Sequence, residues 1–273
     1  MKDFNLKNEK LDIIILSGQS NAEGNGVCSP KEQYFNERVF ELTDDSVAVY
    51  GYGEIAYEKQ TVFTADYAKY RKSDHRVAAD FSETFAEEYI KSGLLASDRK
   101  ILIVKAAVGG TGFSLKQWGV ENPLHGRLCD MTDYALSLNK ENRLVAFLWH
   151  QGEHDAFEQP NLSPSEREKF YYDNFTATVE DVRTRYGVKD LPVICGEFAD
   201  SWADKFKPAT DAVEKASEKA CKDLKNAAMA SSKGLLSNMQ VMKWSGDDIH
   251  FCYDSVVEFG KRYFEKFKEV IGR

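Results

Sequence analysis

Cysteine, proline and positive charge are all scarce in this chain, and each shortage excludes something. The 273 residues include five cysteines, Cys28, Cys129, Cys195, Cys221 and Cys252. Their number is odd and their spacing shows no metal-type pairing, which argues against a disulfide framework and for reduced, packed thiols. The six prolines are dispersed, and neither an internal repeat nor a low-complexity linker is present. Lysine and arginine number 36 against 44 acidic residues, a formal net charge of −8. That balance disfavours nucleic acid or an anionic membrane as partner, since both select basic patches. Long apolar runs are also missing. Residues 1–10 are polar and charged, and the run Ile13–Leu16 is far shorter than the roughly 20 residues of a membrane span. A cytoplasmic protein acting on a neutral or weakly charged small substrate is expected, with no cofactor implied and the oligomeric state open.

What is present is 42% apolar and 29% charged, the composition of a soluble globular chain long enough for a sizeable core. Buried-strand candidates are 11–16, 47–50, 101–107, 144–150 and 192–198. Those at 101–107 and 144–150 are near-continuous apolar runs, as in parallel strands covered on both faces. Helical periodicity falls between and after them, at 81–90, 163–186, 209–224 and 253–271. The second starts Ser163-Pro164-Ser165-Glu166, a capping signature with proline at a favoured first-turn position. Strands alternating with helices predict an α/β protein, a three-layer α/β/α sandwich on a mostly parallel five-stranded sheet. A single domain over 1–273 is expected, with an irregular insertion around 28–80.

Ligands of such sheets bind beyond the carboxyl ends of the strands. Four polar blocks sit there or are brought there by the last helix. In Gly18-Gln19-Ser20-Asn21 a strand breaks into a glycine turn and offers a serine at a helix start. Ser20 is a candidate nucleophile, although serine at that position also serves as a plain helix cap. Asp247-x-x-His250 offers a base for its proton and a carboxylate to orient the base, or else a capping aspartate beside a bystander histidine. In His150-Gln151-Gly152-Glu153-His154-Asp155, Gln151 can donate to an oxyanion and Glu153 is a second candidate acid. The same block has the residue mix of a metal site, but its spacing is not that of a helical zinc motif. Gly109-Gly110-Thr111 lets backbone approach a ligand, and one N–H of Gly109 or Gly110 can complete an oxyanion hole together with that of Ser20. Gln19, Asn21, Trp118 and His154 are candidate substrate contacts, and Phe113 with Trp118 could wall a sugar pocket.

Taken in order, these blocks resemble the SGNH hydrolase superfamily, and within it the branch of carbohydrate esterase family 6 acetylxylan esterases and sialate O-acetylesterase-like domains. The matching blocks span residues 11–262. The resemblance implies a flavodoxin-like sheet, Ser20 as nucleophile, His250 as base, and oxyanion donors from Ser20, a glycine at 109 or 110, and Gln151. It implies either Asp247 or Glu153 as the acid. The expected activity is hydrolysis of O-acetyl esters on carbohydrates through an acetyl-enzyme. The alternatives are a non-catalytic carbohydrate-binding protein on the same scaffold, or a metal-dependent hydrolase using residues 150–155. A sialate substrate would call for a cation such as Lys116 or Arg127 in the pocket.

Overall fold

The computed structural model describes residues 6–28, 36–44, 60–64, 69–70, 77–157 and 161–273. Its strands are β1 Lys10–Gly18, β2 Gly26–Cys28, β3 Val39–Asp44, β4 Gln60–Thr64, β5 Lys69–Tyr70, β6 Val77–Ala79, β7 Arg99–Lys105, β8 Arg143–His150, β9 Val193–Gly196 and β10 Ala227–Ala230. Its helices are α1 Ser20–Glu23, α2 Ser82–Lys91, α3 Pro123–Ser137, α4 Glu153–Phe157, α5 Pro164–Arg185, α6 Asp200–Ala203, α7 Ala209–Asp223, α8 Asn238–Val241 and α9 Tyr253–Val270.

The main sheet runs β10-β9-β8-β1-β7-β3-β4. All neighbours are parallel except β4, which pairs antiparallel with β3. Seven strands therefore replace the five expected. Two of the additional ones, β3 and β4, fall inside the stretch read as an irregular insertion; the third, β10, is short and alanine-rich. The expected strand at 47–50 lies outside the described residues. A small antiparallel sheet, β2-β6-β5, adjoins α9.

Alternation along β1 explains the layers. Ile13 and Ile15 enter one core, while Ile14 and Leu16 enter the core on the opposite face, and all four are fully buried. The first core is closed by α3, α5 and α7, through residues such as Leu128, Phe175 and Val213. The second is closed by α2 and α9, through Phe85, Phe259 and Phe264. Helix α5 begins on the Ser163–Glu166 capping box read from the sequence, with Pro164 as its first residue. Helix α3, unexpected from periodicity, opens on Pro123 and packs Leu124, Leu128 and Met131 inward.

At the end of β1, Gly18 pairs with His150 of β8 and takes φ 127°; a Cβ there would lie 2.0 Å from the His150 carbonyl oxygen. Only glycine permits this approach. The chain can then leave the sheet directly into Gln19 and α1, beside the ends of β7 and β8.

Candidate active site

Ser20 is the first residue of α1, and the turn before it is pinned by the Gln19 amide, which donates to the His150 carbonyl at 2.8 Å. Its Oγ lies 2.8 Å from Nε2 of His250, and Nδ1 of the same ring lies 2.8 Å from Oδ1 of Asp247. His250 and Asp247 sit in the loop between α8 and α9, just ahead of the last helix. Asp247 is held from both sides. Oδ1 also accepts the His250 amide at 3.2 Å, and Oδ2 accepts from Asn238 Nδ2 at 2.9 Å. Burial pushes the Asp247 carboxyl up, but His250 and Asn238 outweigh it and leave it below the ordinary aspartate range.

Glu153 has different partners. Fully buried at the start of α4, its Oε1 accepts from Asn21 Nδ2 at 2.9 Å and lies 3.3 Å from His150 Nε2. Burial raises its carboxyl, and the neighbouring His150 and Asn21 bring it below the usual range. Asn21 donates as well to the Ile249 carbonyl at 3.1 Å and accepts the Phe251 amide at 3.2 Å. It therefore grips the backbone on both sides of His250. The expectation that Asn21 touches substrate is corrected here: the residue is buried and spent on these bonds.

Trp118 departs in the same way from its expected role. It is fully buried, with Nε1 donating to Thr111 Oγ1 at 2.8 Å and its ring edge-on to Trp149. Phe113 is likewise core. Gln151, expected as an oxyanion donor, is buried, and its Nε2 faces Gln19 Oε1 at 3.2 Å, the Thr111 carbonyl at 3.1 Å and Asp155 Oδ2 at 2.8 Å. Three acceptors compete for two hydrogens, so the amide is engaged in bracing the strand-end loops. Asp155 ties the same loops by accepting the amides of Phe113 at 3.0 Å and Ser114 at 2.7 Å.

The glycine pair divides. Gly109 packs so closely on Ser20 that an added Cβ would lie 3.4 Å from the serine Cβ and 2.6 Å from Glu23 Oε2. Its amide donates to Glu23 at 3.0 Å. The amides of Ser20 and Gly110 have no acceptor among the described residues.

These groups border a cavity of about 410 Å³. Gln19, Ser20, Asn25, Gly110, His154 and His250 form its polar wall, and Phe157, Trp202, Phe206 and Ile249 its apolar one. Lys116 is exposed and Arg127 buried on the Ala106 carbonyl, and neither lines the cavity. Of the residues of the metal alternative, only His150 and Glu153 meet, at 3.3 Å. His150 Nδ1 meets Tyr263, Asp155 holds the 113–114 backbone and His154 borders the cavity. They are not among the described groups of three whose ligand atoms lie within 4.8 Å of one another.

Sequence reasoning missed Asn238, Asn25, Glu23 and the aromatic wall. Asn238 had a legible marker: it follows Ser237 in a Ser237–Gln240 capping box. The others carry none.

Behind the aromatic wall, Glu214 of α7 accepts the Phe198 amide at 2.9 Å, and burial pushes its carboxyl up to about 7. The folded protein therefore holds a proton there that an unfolded chain, at the ordinary 4.5, has released. Stability should be greatest near and below pH 4.5 as far as this group is concerned, and fall as pH rises towards 7, by about 3 kcal/mol in total. Urea unfolding at pH 5 and pH 8 should show that loss in the wild type and its near-absence in Glu214→Gln; equal slopes would exclude Glu214 as its source.

The mostly parallel sheet between two helical layers is the three-layer α/β arrangement of the SGNH hydrolase fold. The family described as carbohydrate esterase, sialic acid-specific acetylesterase matches residues 10–269, and the chain belongs to it. Similar solved structures include NanS, at 18% identity over 96% of this chain and 97% of that one, with a TM-score of 0.74. A protein from Arabidopsis thaliana aligns at 18% identity over 96% and 98%, with a TM-score of 0.67. A carbohydrate acetylesterase from Xanthomonas citri, XAC1771, aligns at 16% over 96% of this chain and 57% of that one, with a TM-score of 0.62. No curated protein matches significantly in sequence.

Proposed function

We propose that the chain is a serine esterase that removes O-acetyl groups from carbohydrates, of the acetylxylan or sialate O-acetylesterase type. The observation that carries the reading is the unbroken relay from Asp247 through His250 to Ser20, with 2.8 Å at each contact, at the edge of a cavity. Asp247 holds the ring so that Nε2 faces the serine and stabilises the imidazolium that forms. As Nε2 takes the hydroxyl proton, Oγ attacks the acetyl carbonyl and the carbonyl oxygen becomes an oxyanion. The amides of Ser20 and Gly110, which have no acceptor of their own among the described residues, are its donors. His250 returns the proton to the sugar oxygen as the C–O bond breaks, leaving an acetyl-serine. Water then repeats the sequence and releases acetate.

Glu23 enters as a positioning residue, since its carboxylate sets the glycine turn by holding the Gly109 amide. With His150, Glu153 and Asn21 form a buried support for the His250 loop. Among the described residues Cys129, Cys195, Cys221 and Cys252 are free thiols, which suits a reducing, cytoplasmic setting. No helix among the described residues is long and apolar enough to cross a membrane.

A serine-directed phosphonate separates this reading from a carbohydrate-binding protein on the same scaffold. The folded protein should take up one phosphonyl group, located on Ser20 by peptide mass spectrometry. Absence of labelling would favour binding without catalysis.

A further inference from the structure

The polar lining accounts for the chemistry, but the aromatic lining is unexplained. Phe157, the last residue of α4, is 57% exposed. Its ring meets that of Phe206 at a centroid distance of 5.6 Å and 82°, and Phe206 lies 5.0 Å from Trp202. All three line the same cavity as Ser20 and His250. A single exposed phenylalanine is ordinary, but here Phe157 is exposed, Phe206 half-buried and Trp202 buried against Phe206, so the three rings make one apolar patch in the lining of the nucleophile's cavity.

We infer that Phe157 and Phe206, backed by the buried Trp202, form a shelf for the pyranose ring of an uncharged, O-acetylated sugar. This rests on the esterase reading and narrows its substrate. A pyranose has an apolar C–H face and a hydroxyl rim. Placed on the shelf, it buries the first against the rings and turns the second towards Gln19, Asn25 and His154 across the cavity. The charge of the described lining favours this neutral ring over an anionic one. Among the described residues no lysine or arginine lines the cavity, whereas the carboxyl of Glu153 does. Lys205, next in sequence to Phe206, is engaged by the Asp248 carboxylate. Among the described lining residues a sugar acid would meet no guanidinium or ammonium to receive its carboxylate.

The test compares three esters: a methyl xyloside bearing one acetyl group, an O-acetylated sialic acid, and methyl acetate. Aryl acetates are unsuitable because their own ring would stack. Wild-type protein should favour the xyloside over the sialic acid by tenfold or more in kcat/KM. Phe157→Ala, at an exposed position that folding tolerates, should raise KM for the xyloside about tenfold, the effect of losing one stacked ring. It should leave methyl acetate within twofold, and Phe157→Tyr should restore the wild-type KM. Preference for the sialic acid, or an equal loss on methyl acetate, overturns the shelf. Labelling of Ser20 without cleavage of either sugar overturns the shelf alone. Failure of both labelling and methyl acetate hydrolysis removes the esterase reading and the shelf with it.

Discussion

Alanine at Ser20 is expected to lower kcat for acetyl ester hydrolysis by roughly 10⁶-fold, the scale seen when a serine hydrolase loses its nucleophile. Without Oγ there is no acetyl-enzyme, and the only remaining route is attack by water in a site shaped to bind the ester. The substitution should cost the fold little. The Ser20 side chain is partly exposed and its one side-chain bond is to His250, so the circular dichroism spectrum and the melting temperature should stay near the wild-type values. Because nucleophile and base act as a unit, His250→Ala should be about as damaging and the double variant barely worse. Acetate release, followed by a coupled assay, is the measurement. Retention of more than about one-tenth of wild-type turnover by Ser20→Ala would sink the assignment.

The core of the fold was legible because it rests on a coarse signal. Residues 101–107 and 144–150 are apolar on both faces, and only strands covered on two sides need that pattern. The strands that escaped lack it. Glu41 interrupts β3 with a fully buried carboxylate, and β10 reads Ala-Ala-Met-Ala, without the β-branched bulk that marks a strand. In the candidate site, the meeting of Ser20, Asp247 and His250 was legible because the chemistry read into them restricts those positions to a few residue types. Asn21, Gln151 and Trp118 were misread for the complementary reason. A polar or aromatic residue beside a nucleophile can face the ligand or the protein, and composition does not record direction. Here all three face the protein. Phe157, Trp202 and Phe206 reach the cavity from α4 and from the segment after β9. Nothing in their local sequence distinguishes them from core aromatics; only the path of the chain brings them together.

Two carboxylates competed in the sequence for one role, and substitution should separate them by orders of magnitude. Asp247→Asn is expected to reduce kcat about 10⁴-fold, because an amide beside Nδ1 stabilises the imidazolium far less and can hold the ring in the wrong tautomer. Glu153→Gln is expected to cost no more than about tenfold in kcat while lowering the melting temperature. Glutamine can still accept the Asn21 bond at Oε1, so the brace on Ile249 and Phe251 persists, but the buried charge beside His150 is gone. The geometry explains the ranking. Asp247 bonds the His250 ring directly at 2.8 Å, whereas Glu153 reaches that loop through Asn21, whose bonds are to backbone and leave the ring untouched. A carboxylate acting through backbone sets where the imidazole sits, and one acting through Nδ1 also sets its charge in the transition state. Steady-state kinetics on both variants, paired with thermal melts, therefore gives two signatures: a catalytic collapse out of proportion to any stability loss for Asp247, and a stability loss with modest kinetics for Glu153. If Glu153→Gln were the inactive variant and Asp247→Asn retained most of its turnover, the acid would have to be reassigned and the resting contact between Asp247 and His250 read as a cap.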